Sequence, residues 1–222
     1  MICGIIDLGS NTIRLSIYQC ENGHGRLLTN RKVMAGLAGY VADGELSQEG
    51  IQVACQTLEE YKALMSNLGF ANLRVFATAS LRNVSNTDEA VSQIQASTGL
   101  AVDVISGTEE ARLSFLGAVQ GQGPENGLLI DLGGGSMEFV KYQGRDILSS
   151  CSLSLGSLSL YSRYVSYLIS EKRRNYPHRT VRQRQAFAAH YVVHVRLNQV
   201  GRTLINTAYH YHLRVQHINN ER

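Results

Sequence analysis

The sequence predicts a two-lobed α/β fold whose first lobe is a mixed sheet flanked by helices and whose second lobe is incomplete. Three observations carry that expectation. Two twelve-residue strings, DLGSNTIRLSIY from Asp7 to Tyr18 and DLGGGSMEFVKY from Asp131 to Tyr142, answer to one another. Strand-like and helix-like periodicities alternate between them. The composition then changes abruptly near residue 170.

Each repeat follows an apolar run, ICGII before Asp7 and LLI before Asp131, so each aspartate stands where a strand leaves the core. Small residues come next: Gly9, Ser10 and Asn11 in the first copy, and Gly133, Gly134, Gly135 and Ser136 in the second. Alternation resumes through Ile13, Leu15 and Ile17, and through Met137 and Phe139. Both copies therefore read as strand, tight turn, strand. Two such hairpins predict two related lobes with their turns facing each other across a cleft.

Residues 26–37 read as a further strand with Arg31 and Lys32 near its middle. Ser47 opens a helix on which Ile51, Cys55, Leu58, Tyr61, Met65 and Leu68 recur at helical spacing, and Gly69 stops it. A short apolar strand follows at 73–78, then a helix at 88–97 ended by Gly99, a strand at 102–106, and a helix at 108–120 with Ala111, Phe115 and Val119 on one face. Gly121, Gly123 and Pro124 make the loop before the second repeat. Alternation of this kind implies a mixed sheet covered by helices, with ligands near the carboxyl ends of its strands.

Charge divides the chain. Residues 1–170 hold 11 Lys or Arg against 16 Asp or Glu, whereas residues 171–222 hold 10 against 2 and six of the seven histidines. The expected organisation is a first lobe over 1–124, the start of a second over 125–170, and a divergent basic tail over 171–222. No run approaches the roughly 18 apolar residues of a membrane span. The opening MICGIIDLGSNT has neither a basic leader nor a cleavage site, so the cytoplasm is the expected compartment, with no membrane partner. Cys3, Cys20, Cys55 and Cys151 stand singly in or beside apolar segments and read as buried free thiols.

The turns point to chemistry. Small residues leave backbone N–H groups uncovered, and a turn of such groups makes a nest for phosphate oxygens. A strand-end aspartate repels phosphate directly but holds a divalent cation that bridges to it. Glu109 and Glu110 open the helix after a strand end; the helix dipole alone favours acid there, and adjacent helical residues diverge, so one of the two faces the cleft. A carboxylate in that position orients and deprotonates a water for attack on phosphorus. Arg82 follows the strand at 73–78 through the turn ASL, and a guanidinium clamps phosphoryl oxygens bidentately. Arg14 reads equally as a loop contact or a solvent-facing strand residue, and Glu138 as part of the site or as an exposed strand residue.

Five motifs in order carry a family resemblance: GIIDLGSNTIRLSIY at 4–18, VFATASLRN at 75–83, VISGTEEARLSFLGAV at 104–119, LLIDLGGGSMEFV at 128–140 and SLSLGSLSLYSRYV at 152–165. The chain resembles the exopolyphosphatase and guanosine pentaphosphate phosphohydrolase (Ppx/GppA) family of the actin, Hsp70 and sugar-kinase superfamily. The resemblance implies a ribonuclease H-like, actin-like ATPase lobe. It also implies Mg2+-assisted hydrolysis of the terminal phosphate of inorganic polyphosphate or of guanosine pentaphosphate. By resemblance Glu110 matches the general base, Asp131 a metal-linked or water-orienting carboxylate, and Arg82 a phosphate-binding arginine. Asp7, Ser10 and Asn11 match the first phosphate loop, and Gly133, Gly134, Gly135 and Ser136 the second. Asp7 and Glu138 join Asp131 as candidate metal ligands. Leu155, Gly156 and Ser157 match a signature that leads into the second lobe.

The pattern is expected to break after SEKRRN, where Arg, His, Gln and Tyr replace a glycine-rich composition. A shifted reading frame or truncated gene is the expected origin of the last 45–50 residues; a basic extension that holds polyanions by charge is the rival, with nucleic acid an unexpected partner. An unfinished second sheet would leave open edges, which favour pairing with a second copy as a homodimer. The alternatives to a phosphatase are a kinase-like member of the superfamily, a noncatalytic polyphosphate- or nucleotide-binding module, and a relic without activity.

Overall fold

The structure, a computed structural model, describes residues 1–21, 24–118, 125–161 and 191–195. Strands β1 (Ile2–Leu8), β2 (Ile13–Glu21) and β3 (His24–Val33) form an antiparallel meander. A short 3-10 turn (Leu37–Tyr40) and a two-strand ribbon, β4 (Val41–Ala42) and β5 (Glu45–Leu46), lead into helix α1 (Gln48–Asn67). Strand β6 (Leu73–Ala77) returns parallel to β1, and after α2 (Ala79–Arg82) and α3 (Thr87–Thr98), β7 (Val102–Val104) adds parallel to β6. The sheet order is β3-β2-β1-β6-β7. It is the mixed sheet that the alternation of elements predicts.

Its core lies on one face. Ile6 and Leu8 of β1 and Ile13, Leu15 and Ile17 of β2 pack with Ile51, Ala54, Leu58, Tyr61 and Met65 of α1 and Ala90 and Ile94 of α3. Helix α1 starts where its sequence says it should, because Ser47 accepts the Gly50 N–H at 3.3 Å and satisfies a first-turn donor. It ends at Gly69, whose φ of 77° no side-chain-bearing residue adopts cheaply. Leu68, expected on the apolar face, caps the helix instead and is 50% exposed. Tyr61 ties the helix to the sheet by donating to the carbonyls of Ile13 (3.0 Å) and Arg31 (3.2 Å).

Helix α4 (Gly107–Ala118) covers a second sheet, although it falls within the span assigned by sequence to the first lobe. That sheet contains β8 (Asn126–Leu132), β9 (Met137–Gln143), β10 (Asp146–Leu153) and β11 (Tyr191–Val195), in the order β10-β9-β8-β11. Ala111 and Phe115 of α4 pack on Leu129, Val140 and Tyr142, and the rings of Phe115 and Tyr142 lie 5.0 Å apart at 47°. The hairpin β8–β9–β10 repeats β1–β2–β3. Strand β11, from the basic segment, pairs antiparallel with β8 over Leu128–Leu132, so β10 and β11 are the edges of this sheet. The cysteines are free, but Cys3, Cys20 and Cys55 are half-buried and Cys151 is exposed; Cys55 packs at the margin of the core. Val119, the loop at 121–124 and most of 171–222 lie outside the described residues.

Candidate functional site

The two repeats close their turns in the same way. Gly9 donates to the Thr12 carbonyl at 3.2 Å, and Gly133 donates to the Ser136 carbonyl at 3.0 Å. In both lobes the chain after the third strand laces back onto the turn. Gly36 and Ala38 donate to the carbonyls of Asn11 and Ser10, each at 2.8 Å; Ser157 and Leu158 donate to those of Gly133 (2.9 Å) and Gly134 (3.0 Å). Ser157 opens the short helix α5 (Ser157–Leu160), so the signature Leu155-Gly156-Ser157 clasps the second turn.

The turns were expected to face each other across a cleft, but they touch. A Cβ on Gly135 would collide with Ser10 and lie 3.1 Å from Ala79, and one on Gly134 would lie 3.3 Å from Asn11. A Cβ on Gly156 would overlap the backbone of Gly134. Missing side chains let the two turns close on one another, leaving Ser10, Asn11 and Ser136 buried.

A charged cluster lies beside this contact. Helix α2 is tied to the end of β1 by a hydrogen bond from Ser80 to the Leu8 carbonyl, and Arg82 ends that helix. Its Nη1 donates to the Ile105 carbonyl at 3.1 Å and to Glu110 Oε2 at 2.7 Å, while Nη2 lies 3.9 Å from Glu138 Oε1. Burial pushes the Glu110 carboxyl above its usual range; Arg82 opposes that shift, and the charges of Asp7 and Asp131 add to it. Burial and the field of Glu110 push Glu138 up to about 7. Asp131 and Glu138 are register partners on β8 and β9, and Glu138 and Ser152 on β9 and β10. They form a polar row at the end of the face that α4 covers.

Of the residues singled out by sequence, Arg82, Glu110 and Glu138 come into one cluster, with Asp7 and Asp131 close enough for their charges to act on it. Ser10, Asn11, Gly133, Gly134, Gly135 and Ser136 form the touching turns. Glu109 stays out: it is bound on the exposed side of α4 by Arg112 through two 2.8 Å hydrogen bonds. Glu138 is 1% exposed, which removes its reading as an exposed strand residue. Arg14 sits opposite Asp7 in the β1–β2 register.

Sequence reading missed two supporting hydroxyls. Ser114 donates to Asp131 Oδ2 at 2.5 Å, and Ser152 donates to Glu138 Oε1 at 2.8 Å. Ser114 was findable, since it lies four residues after Glu110 on the same helix face. Ser152 was not, because no register for β10 was predicted. Gly107 was also missed; a Cβ there would collide with Ser152.

Among the described residues, no group of three or more His, Cys, Asp or Glu is gathered closely enough to hold a metal by itself. Two atoms still bear on cation binding. Asp131 Oδ1 is buried with no hydrogen-bond partner, whereas Glu138 Oε1 is engaged by Ser152 and faces Arg82.

Strand order, duplicated turns and the arginine–carboxylate cluster beside them define a ribonuclease H-like lobe of the actin-ATPase type. The chain belongs to the Ppx/GppA phosphatase family, whose model matches residues 16–220 and so runs through the basic segment. It is similar to the crystal structure of an exopolyphosphatase from Cytophaga hutchinsonii at 30% identity and a TM-score of 0.68, covering 74% of this chain and 54% of that one. A Ppx/GppA family member from Aquifex aeolicus matches at 30% identity and a TM-score of 0.62 with the same coverage. The type II variant of the Aquifex aeolicus Ppx/GppA phosphatase matches at 27% and 0.60, covering 81% of this chain and 66% of that one. The chain thus spans about half the length of the first two structures.

Proposed function

We propose that the chain is a phosphoanhydride hydrolase that releases terminal orthophosphate from inorganic polyphosphate or guanosine pentaphosphate. The observation that supports this reading is the 2.7 Å contact of Arg82 with the part-buried Glu110 beside the paired turns. In this reading the turn residues Ser10, Asn11 and Gly134–Ser136 bind the phosphate chain through backbone N–H groups, while the Gly133 N–H closes the turn on the Ser136 carbonyl. Arg82 takes the oxygens of the terminal phosphoryl group. Glu110 removes the proton of the attacking water, a role suited to a carboxyl whose affinity for protons is raised by burial.

Arg82 links binding to basicity. Phosphate oxygens that engage the guanidinium compete with Glu110 for it, and a Glu110 relieved of its counter-ion becomes a stronger base. Glu138, buried and raised toward neutrality, keeps its oxygen on Ser152 and helps to position the Arg82 guanidinium.

Mg2+ fits part of the expected donor set. It is usually held by one or two carboxylates together with substrate phosphates, and Asp131, whose Oδ1 has no hydrogen-bond partner, would fill that role better than Glu138, whose oxygen is committed. When bound, it neutralises charge on the phosphate oxygens. Ser114 holds Asp131 by one oxygen and leaves the other free.

Orthophosphate release from long-chain polyphosphate and from guanosine pentaphosphate, with Mg2+ present, tests the reading. Release from either substrate that is lost in folded Glu110→Gln is the expected result. A folded wild-type chain that binds polyphosphate but releases none favours a noncatalytic binding module.

A further inference from the structure

We propose that Cys3 and Cys20 form a redox-active dithiol that closes to an intramolecular disulfide on the face of the first sheet opposite α1 and α3. Their Sγ atoms lie 3.3 Å apart, a contact between two side chains from neighbouring strands. In the β1–β2 register Ile2 opposes Gln19 and Cys3 opposes Tyr18, and Cys20 donates to the Met1 carbonyl at 2.7 Å. The two cysteines are therefore diagonal neighbours across one antiparallel pair. Strand alternation sets both on the face away from Ile6, Leu8, Ile13 and Leu15, which are buried under α1 and α3. Both are half-buried, so the thiols are reachable by a small oxidant while their backbones are held by the ladder. Burial pushes the Cys3 thiol upward, which slows its attack without changing its partner.

The S–S bond length is about 2.05 Å, so closure asks the sulfurs to approach by roughly 1.3 Å, within the reach of two side-chain torsions. With a disulfide oxidant such as oxidised glutathione, one cysteine thiolate attacks the oxidant and releases one glutathione thiolate. The second cysteine then displaces the other glutathione. One protein S–S bond forms from two S–H groups, and the two electrons and two protons leave as two molecules of reduced glutathione. Neither of the other described cysteines offers this geometry. Cys55 packs along α1 against the core, and Cys151 is exposed on β10. The bridge would clip β1 to β2 at the end of the hairpin remote from the turn at Gly9–Asn11.

The test needs no variant in its first arm. Trypsin cuts after Arg14 and Arg26, so Cys3 and Cys20 fall in separate peptides, residues 1–14 and 15–26. The full chain is treated with oxidised glutathione, alkylated, digested without reduction and weighed by mass spectrometry. The expected product is the pair 1–14 and 15–26 joined, two hydrogens lighter than their sum, and separated by dithiothreitol. Cys151 serves as the control for oxidant access and takes a glutathione adduct. In the second arm, Cys20→Ser abolishes the linked species, and oxidised wild type melts several degrees above reduced wild type while the variant does not shift. Recovery of Cys3 and Cys20 only as alkylated or separately glutathionylated peptides, under conditions that modify Cys151, overturns the proposal.

Discussion

Glu110 holds its carboxylate 2.7 Å from Arg82 with 16% of its side chain exposed, while Glu109, one residue earlier, is gripped by Arg112 on the outer face of α4. The residues alone left that choice open, since both acids suit a helix N-terminus; the family resemblance favoured Glu110, and α4's orientation puts it in the cluster. Glu110→Gln is expected to lower kcat by about 10²–10⁴-fold, the usual worth of a positioned general base, with little change in KM. Glu138 yields a stability prediction. Its folded carboxyl titrates at about 7 against an ordinary 4.5. Between those values the native state holds a proton that the unfolded state has lost, so stability falls as pH rises through that window. Urea midpoints at pH 5 and pH 7.5 should show a drop in wild type that is smaller in Glu138→Gln; equal drops would contradict the assignment. Ser114→Ala, which frees Asp131 from its hydrogen bond, is expected to weaken Mn2+ binding, read by electron paramagnetic resonance, by roughly tenfold, in line with ligand-orienting contacts elsewhere. Ser114→Thr should restore it.

At the scale of elements, periodicity was a good guide where one face is buried and the other wet. Helix α1 runs Gln48–Asn67 between the predicted cap at Ser47 and the predicted stop at Gly69, and its buried residues follow the expected spacing as far as Met65. Strand β3 ends at Val33 rather than near 37, because the chain from Gly36 turns back to hydrogen-bond the first turn. Strand β10, of which only Ser152 and Leu153 fall within a quoted motif, was not read as a strand: DILSSCSL has only half-buried and exposed positions, so no face announces itself. Tight glycine contacts were legible only as small residues, not as meeting points. Gly156→Ala drives a methyl group into the backbone of Gly134 and Gly135. It is expected to destabilise the protein by on the order of 3 kcal/mol or more, since backbone on both sides cannot yield as a side chain would. Tyr61→Phe, which unties α1 from Ile13 and Arg31, should cost about 1 kcal/mol in denaturant unfolding.

For the whole molecule, the duplicated hairpin was the most informative signal, because a repeat carries geometry as well as composition. It predicted two related lobes, and each copy of the repeat lies in its own sheet with a matching turn closure. The position of α4 was not readable, since its apolar stripe of Ala111 and Phe115 fits either sheet; only packing assigns it to β8–β10. The edge partner of β8 was hidden for a different reason. The segment HYVVHVRLNQ is too apolar for a solvated arm, yet its basic surroundings masked a strand that pairs at Tyr191–Val195. The central claim, that Arg82 clamps phosphate while Glu110 activates water, is tested most directly by comparing Glu110→Gln with Arg82→Ala. Orthophosphate release and polyphosphate-induced thermal stabilisation are to be measured on the same samples. The account predicts that Glu110→Gln loses release but keeps the stabilisation by polyphosphate, and that Arg82→Ala loses most of both. Full release by folded Glu110→Gln, or undiminished polyphosphate stabilisation in Arg82→Ala, would contradict it.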